Sequence, residues 1–223
     1  LGAEHPAMSP VTILTDDDLA RLGIRPRDVA DAIEAALAEQ ATGALHVTPK
    51  SAILPGGGRY MMATLSVGPE LTVVKQVTVS PDNPGRGLPA INGAIMALDA
   101  QTGLLRAVLG ANWITAVRTA GLSMVAARRL ANPESKVLTL VGAGVQGRSH
   151  LSALADEFPL EEVRVLGRGP ANLARTLAMA RDMGLAAEAA TDPEQALRDC
   201  DIVVSSVTLD YDTRPFLDAR WLK

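Results

Sequence analysis

The chain has 223 residues, 48% of them hydrophobic and 21% charged, and a net charge of -4. This is the composition of a soluble globular protein with room for two modest domains. It carries no basic block for a nucleic-acid partner and no apolar run of membrane-spanning length.

The first residues, Leu1 to Pro10, lack the basic start and apolar core of a signal peptide. Thr15 precedes "DDDLARLG" and is predicted to cap a short helix that ends at Gly23. A second helix starts at Pro26 and stops near Gly43, with Val29, Ile33, Ala36 and Leu37 as its apolar stripe. The period then changes. "RYMMATLSV", "LTVVKQVTV", "PAINGAIMAL" and "LLRAVLG" are β-rich runs separated by Gly, Pro and Asp, and read as consecutive antiparallel strands. Helical pattern returns in "NWITAVRTAGLSMVAARRLANP", and the domain boundary is expected inside it. Beyond it "KVLTLV", "EVRVLG", the weaker "LAAEAAT" and the buried strand "DIVVSSV" alternate with three helical segments, the pattern of a parallel sheet covered on both faces. The fold class is therefore α/β: an α+β layer followed by a Rossmann-type parallel sheet.

Gly142-Ala143-Gly144-Val145-Gln146-Gly147 fits G-x-G-x-x-G, follows a predicted strand and opens a helix, the context a dinucleotide turn requires. Gly142 permits the turn, Gly144 lets the backbone approach a pyrophosphate, and Gly147 lets helix and strand pack closely. Phosphates would meet free N–H groups at the positive end of the helix. An NAD site places Asp or Glu near the end of the second strand; here Gly167 and Arg168 stand there, and Arg168 can pair with a 2′-phosphate. NADP(H) is thus expected over NAD(H).

Alternation puts Lys75 in a row with Val73, Val77 and Val79. A lysine there either holds a substrate carboxylate or assists proton transfer, or lies at a strand edge with its ammonium reaching water along its stem. Arg118 could clamp a carboxylate bidentately, although read alone it is an ordinary solvated helix residue. Lys50 is a third cation in this half. With no His dyad, no Ser–His pair and no metal cluster in view, these cations point to binding of an anionic substrate, with the redox step left to a cofactor. His5, His46 and His150 lie at no metal-ligand spacing, so no metal is expected. Cys200, the single cysteine, excludes an internal disulfide and fits a reducing cytoplasm; between Asp199 and Asp201 it gets no help toward thiolate and reads as structural.

"AVRTAGLSMVAARRLANPESKVLTLVGAGVQGRSHLSAL", together with "VVKQV", "LPAINGAIMALDAQTG" and "DIVVSSVT" in that order, resembles the ornithine cyclodeaminase/μ-crystallin family along nearly the whole chain. The resemblance implies a substrate-binding and dimerisation domain over residues 1–118, an NAD(P)-binding Rossmann domain over 119–223, and a homodimer. It implies substrate contacts from Lys50, Lys75 and Arg118, with Lys75 catalytic. It implies cofactor contacts from Arg118, Thr119, Val145 and Gln146, and from Val207 and Thr208 in the loop that begins at Ser206. Two positions depart from the family: Lys50 stands where cyclodeaminases carry arginine, and Ala94 about where several members carry threonine. Family members continue past this point, so the parallel sheet is expected to be cut after its fourth strand, with the cyclodeaminase aspartate beyond residue 223. The activity implied is NADPH-dependent reduction of a small cyclic ketimine or imino acid. The alternatives are deaminating cyclisation of an amino acid with catalytic NAD, or a non-enzymatic small-molecule binding protein.

Overall fold

A computed structural model describes residues 10–207 and 214–222. The chain divides into two compact units, residues 1–24 with 34–115, and residues 25–33 with 116–223. The break at 115/116 falls in the same helix as the boundary expected at 118/119, and part of the second helix groups with the later half of the chain.

The first unit is built on a mixed sheet. Its strands are β1 (Thr12–Leu14), β2 (His46–Val47), β3 (Ser51–Gly56), β4 (Arg59–Val67), β5 (Leu71–Val79), β6 (Ile91–Asp99) and β7 (Leu105–Gly110). Their order is β1-β7-β6-β5-β4-β2, with β3 also on β4. From β4 to β7 the pairing is antiparallel, as expected. The expectation of a purely antiparallel sheet needs correction, because β1 adds in parallel to β7. Three residues are too few to show a period, and their partners lie 95 positions away at Ala107–Leu109. After β1 comes α1 (Asp16–Ala20), closed by a capping box. The Thr15 hydroxyl accepts from the Asp18 amide at 3.2 Å, and the Asp18 carboxylate accepts from the Thr15 amide at 2.9 Å. Those bonds from Thr15, with help from Arg21, hold the Asp18 carboxyl down at about 2.

Helix α2 (Pro26–Thr42) begins in the second unit for a packing reason. In α3 (Asn112–Leu130) a Cβ built on Gly121 would lie 2.8 Å from Val29 and 2.9 Å from Ile33 of α2, so only glycine admits this approach. Ala30 is fully buried against Ala120 and Met124. Arg128 of α3 pairs with Asp31 at 2.7 Å and with Glu157 at 3.0 Å.

The second unit carries a parallel sheet of β8 (Val137–Val141), β9 (Glu162–Leu166), β10 (Ala186–Ala189) and β11 (Ile202–Ser205). Their order is β10-β9-β8-β11, the 3-2-1-4 order of a doubly wound sheet. Between them run α4 (Val145–Glu157), α5 (Pro170–Asp182) and α6 (Pro193–Leu197). Leu138 and Leu140 point to one side of β8, where Leu151, Leu154 and Ala180 of α4 and α5 complete a core. Thr139 and Val141 point to the other, where Val141 meets Ala196 and Leu197 of α6 and the Thr139 hydroxyl donates to the Ala196 carbonyl at 2.6 Å. β11 is only half buried, with Ser205 exposed, rather than the buried strand expected. It pairs with β8 alone among the described residues, and an edge strand lacks the second neighbour that would cover it.

Candidate functional site

At the end of β8 the chain must turn sharply into α4. Gly142 takes φ +119, open to glycine and strained for other residues. Its amide donates to the Leu166 carbonyl at 2.8 Å, and the Ser206 amide donates to the Val141 carbonyl at 2.8 Å, so the turn is laced to both neighbouring strands. A Cβ on Gly147 would lie 2.1 Å from the Gly142 oxygen. A Cβ on Gly144 would meet nothing within 4 Å. Gly144 is also the N-cap of α4 and supplies no side chain to its first turn, so the amides there are left for another acceptor.

A cavity of about 710 Å³ opens over the C-terminal ends of all four parallel strands. Gly142, Ala143 and Gly144 line it from β8, Leu166 to Gly169 from β9, Ala189 to Thr191 from β10, and Ser206 and Val207 from β11. In open α/β sheets this is where ligands bind, at the point where strand order reverses. Among the described residues no carboxylate lines it, and Arg168 is exposed at its wall. Two buried polar atoms of this region, Gln146 Oε1 and Ser206 Oγ, have no hydrogen-bond partner among the described residues.

The structure therefore brings Gly142, Gly144, Arg168 and Val207 to one cavity, with Val145 exposed and Gln146 half buried at the start of α4. Thr208 lies outside the described residues. Arg118 of α3 is half buried; its Nε has no partner among the described residues, and burial pushes the guanidinium pKa below its ordinary value. Thr119 follows it, half buried. Lys50 and Lys75 belong to the first unit. Lys50 is exposed between β2 and β3. Lys75 is half buried on β5, opposite Thr64 of β4 and Ile95 of β6. That face of the sheet holds the cluster of Val73, Val77, Ile95, Ala111 and Ile114.

Two features escaped the sequence reading. Asn172 also lines the cavity, three residues after the Gly169 N-cap of α5; its place in the first turn after the second strand was the available signal. The reading found no Ser–His pair, yet the structure places Ser123 Oγ 2.9 Å from His150 Nε2. The residues are 27 positions apart, and only the packing of α3 on α4 joins them. His150 Nδ1 lies 2.7 Å from the Gln146 carbonyl, which can only accept, so Nδ1 carries the proton and Nε2 accepts from the serine. With a carbonyl in place of a carboxylate on Nδ1, and burial pushing the imidazole pKa down, the pair reads as packing. Cys200 likewise donates to the Leu197 carbonyl at 3.0 Å, with its pKa raised chiefly by burial. Among the described residues no group of His, Cys, Asp and Glu could hold a metal ion, and no helix is long and apolar enough to cross a membrane.

Comparison with known proteins adds to this geometry. A Δ1-pyrroline-2-carboxylate/Δ1-piperideine-2-carboxylate reductase of Azospirillum brasilense is 33% identical over 162 residues, 72% of this chain and 51% of that enzyme. The Δ1-pyrroline-2-carboxylate reductase of Thermococcus litoralis, solved with NADH and L-proline, superposes with a TM-score of 0.83 at 28% identity, over 87% of this chain and 61% of that one. An archaeal alanine dehydrogenase dimer with bound NAD gives 0.86 at 27% identity, over 95% and 64%. Ketimine reductase mu-crystallins and a lysine cyclodeaminase also match. The chain spans between half and two thirds of the length of such curated relatives. The profile of one family covers residues 15–223, and the chain belongs to it: the ornithine cyclodeaminase/mu-crystallin family.

Proposed function

We propose that the protein is an NAD(P)-dependent oxidoreductase that reduces the C=N bond of a small cyclic ketimine carboxylate, with NADPH as its cofactor. The observation that carries this reading is the cavity at the strand ends, floored by the glycine turn and walled by Arg168, with no carboxylate among its described lining residues. A dinucleotide fits the residues present. Gly144 leaves open the space a pyrophosphate needs, the uncapped α4 amides are available to an anion, and Gln146 and Ser206 carry polar atoms there without partners among the described residues. The reductase names of the relatives support the substrate class.

When bound, the dinucleotide supplies the hydride. The chain's own residues supply charge and orientation. Lys75 and Arg118 are each candidate cations for the substrate carboxylate, as the family resemblance implies, and Arg118 has an Nε donor without a partner among the described residues. Lys50 adds a third cation whose single ammonium grips a carboxylate less specifically than a guanidinium fork. Arg168 pairs with the 2′-phosphate, and no acid stands beside it at the end of β9 to repel that group.

The working form is a homodimer. Met61, Leu65 and Val67 of β4 and Met96 of β6 share the sheet face opposite Lys75, and each is exposed. Such a patch on a soluble protein marks an interface, and the dimeric structural relative supports a second copy as its cover.

The second reading, deaminating cyclisation of a diamino acid, draws on the similarity to a lysine cyclodeaminase. One assay separates the two. Full-length protein given Δ1-pyrroline-2-carboxylate should consume NADPH stoichiometrically, and with L-ornithine should release no ammonia. Ammonia release without net NADPH consumption would establish the cyclodeaminase instead; cofactor binding with turnover of neither would establish a binding protein.

A further inference from the structure

Behind the glycine turn stands a cation that the reading above does not use. Arg148 lies in the first turn of α4, and its Nη1 donates to the Ala143 carbonyl at 3.0 Å. The same oxygen is 3.1 Å from the hydroxyl of Thr176, which is fully buried on α5. Thr176 has one proton and a second acceptor, the Asn172 carbonyl at 3.0 Å, so it serves Ala143 only in part. Arg148 is the dedicated donor.

The Ala143–Gly144 peptide is planar and trans, so its C=O and N–H point in opposite directions. Fixing the carbonyl toward Arg148 and Thr176 fixes the Gly144 N–H toward the other side. Gly144 lines the cavity, and its amide has no acceptor among the described residues. Drawing electron density toward the carbonyl oxygen also makes that N–H a stronger donor, as in any chain of coupled hydrogen bonds.

Arg148 is an expensive residue for the free protein. It is half buried, and among the described residues no carboxylate lies within ion-pair distance of it. Burial lowers its guanidinium pKa, and repulsion from Arg175 lowers it further. An unpaired, partly desolvated cation destabilises a fold unless a ligand supplies the missing charge. A diphosphate on the far side of the same peptide would supply it.

We propose that Arg148 is a positioning residue for the cofactor diphosphate: it holds the Ala143–Gly144 peptide with its N–H facing the cavity and places an uncompensated positive charge behind it. The proposal rests on the dinucleotide reading above. It makes no claim on the 2′-phosphate, which belongs to Arg168.

The test measures dissociation constants for NADPH and NADH on full-length protein and on Arg148→Met and Arg148→Lys, with thermal midpoints taken without cofactor. Methionine keeps much of the stem and removes charge and donor; lysine keeps the charge and one donor group. Arg148→Met should weaken both cofactors by the same factor, about tenfold for a lost hydrogen bond of this kind. Its midpoint should hold or rise, because an unpaired cation has gone. Arg148→Lys should recover much of the affinity. Equal affinities for wild type and Arg148→Met would overturn the proposal. So would a loss confined to NADPH, which would place Arg148 at the 2′-phosphate, or a loss that tracks a lowered midpoint and is not rescued by lysine, which would make the residue structural. If wild type binds neither cofactor, the dinucleotide reading itself fails, and that result is distinct from all of these.

Discussion

The two sheets solve different problems. In the parallel sheet β8 has core on both faces and is buried along nearly its whole length, so little of its side-chain surface is left for a ligand. What is left for binding is its end, where the backbone itself turns and its amides are uncapped. The mixed sheet covers one face with Val77, Ile95 and Ala111 and leaves Met61, Leu65 and Met96 exposed on the other. It can therefore offer side chains: Lys75 on the covered face and an apolar patch on the open one. Under the proposed function, recognition at the parallel sheet would rest on glycines and backbone amides, and at the mixed sheet on charge and association.

Substitutions should separate these two modes. The largest effect belongs to Gly147→Ala. Its methyl would need the space of the Gly142 oxygen 2.1 Å away, so it should destabilise the unit by about 3 kcal/mol and abolish dinucleotide binding. Gly144→Ala meets nothing within 4 Å and should fold with a change under about 1 kcal/mol, while still weakening cofactor binding. Denaturant titration beside cofactor titration checks both, and equal destabilisation by the two would break the assignment of separate roles. On the open face of the mixed sheet, Leu65→Glu should convert dimer to monomer in sedimentation velocity, since an unpaired carboxylate buried at an interface is heavily penalised. An unchanged sedimentation coefficient would move the interface elsewhere.

Lys75→Met should lower kcat/KM for a ketimine by about a hundredfold, the upper range for losing a charge-assisted bond, and shift the thermal midpoint little. A large fall in midpoint with catalysis intact would make Lys75 structural. Arg168→Ala should raise the NADPH dissociation constant by about tenfold to a hundredfold and leave NADH unaffected, with the difference shrinking as salt rises. Replacing Gly167 with Asp is a poor way to restore an acid, because its Cβ would sit 2.9 Å from that of Ala143. The smallest effect concerns pH. His150 has a folded-state pKa below its ordinary 6.5, so the unfolded chain binds the proton first. Stability is fully present above about 6.5 and is lost as pH falls below it. Thermal midpoints of wild type should drop between pH 7 and 5.5, and His150→Gln should reduce that slope; parallel slopes would remove His150 as the cause.

Much of this architecture could be read in advance where one physical signal dominated. The runs at 59–67 and 71–79 are β-rich, are bounded by Gly and Pro, and coincide with β4 and β5. The glycine turn was legible because Gly142 needs a positive φ and Gly147 a missing side chain, demands few other residues meet. β2 and β3 were not legible. β2 has two residues, and β3 carries Pro55 with every residue exposed, so neither bears a pattern of burial. Nothing in the sequence sets Arg148 apart from the other helical arginines. Its importance rests on what stands opposite it, and a linear string does not encode that.

The lone thiol has a practical consequence. Cys200 gives its hydrogen to the Leu197 carbonyl and sits where burial holds it protonated, so a thiol-specific dye at neutral pH should label the folded chain slowly. Labelling would become fast only when the short connection from α6 to β11 opens. With one cysteine in the described sequence and no others to confuse the signal, its labelling rate is a built-in clock for how often that corner of the parallel sheet comes undone.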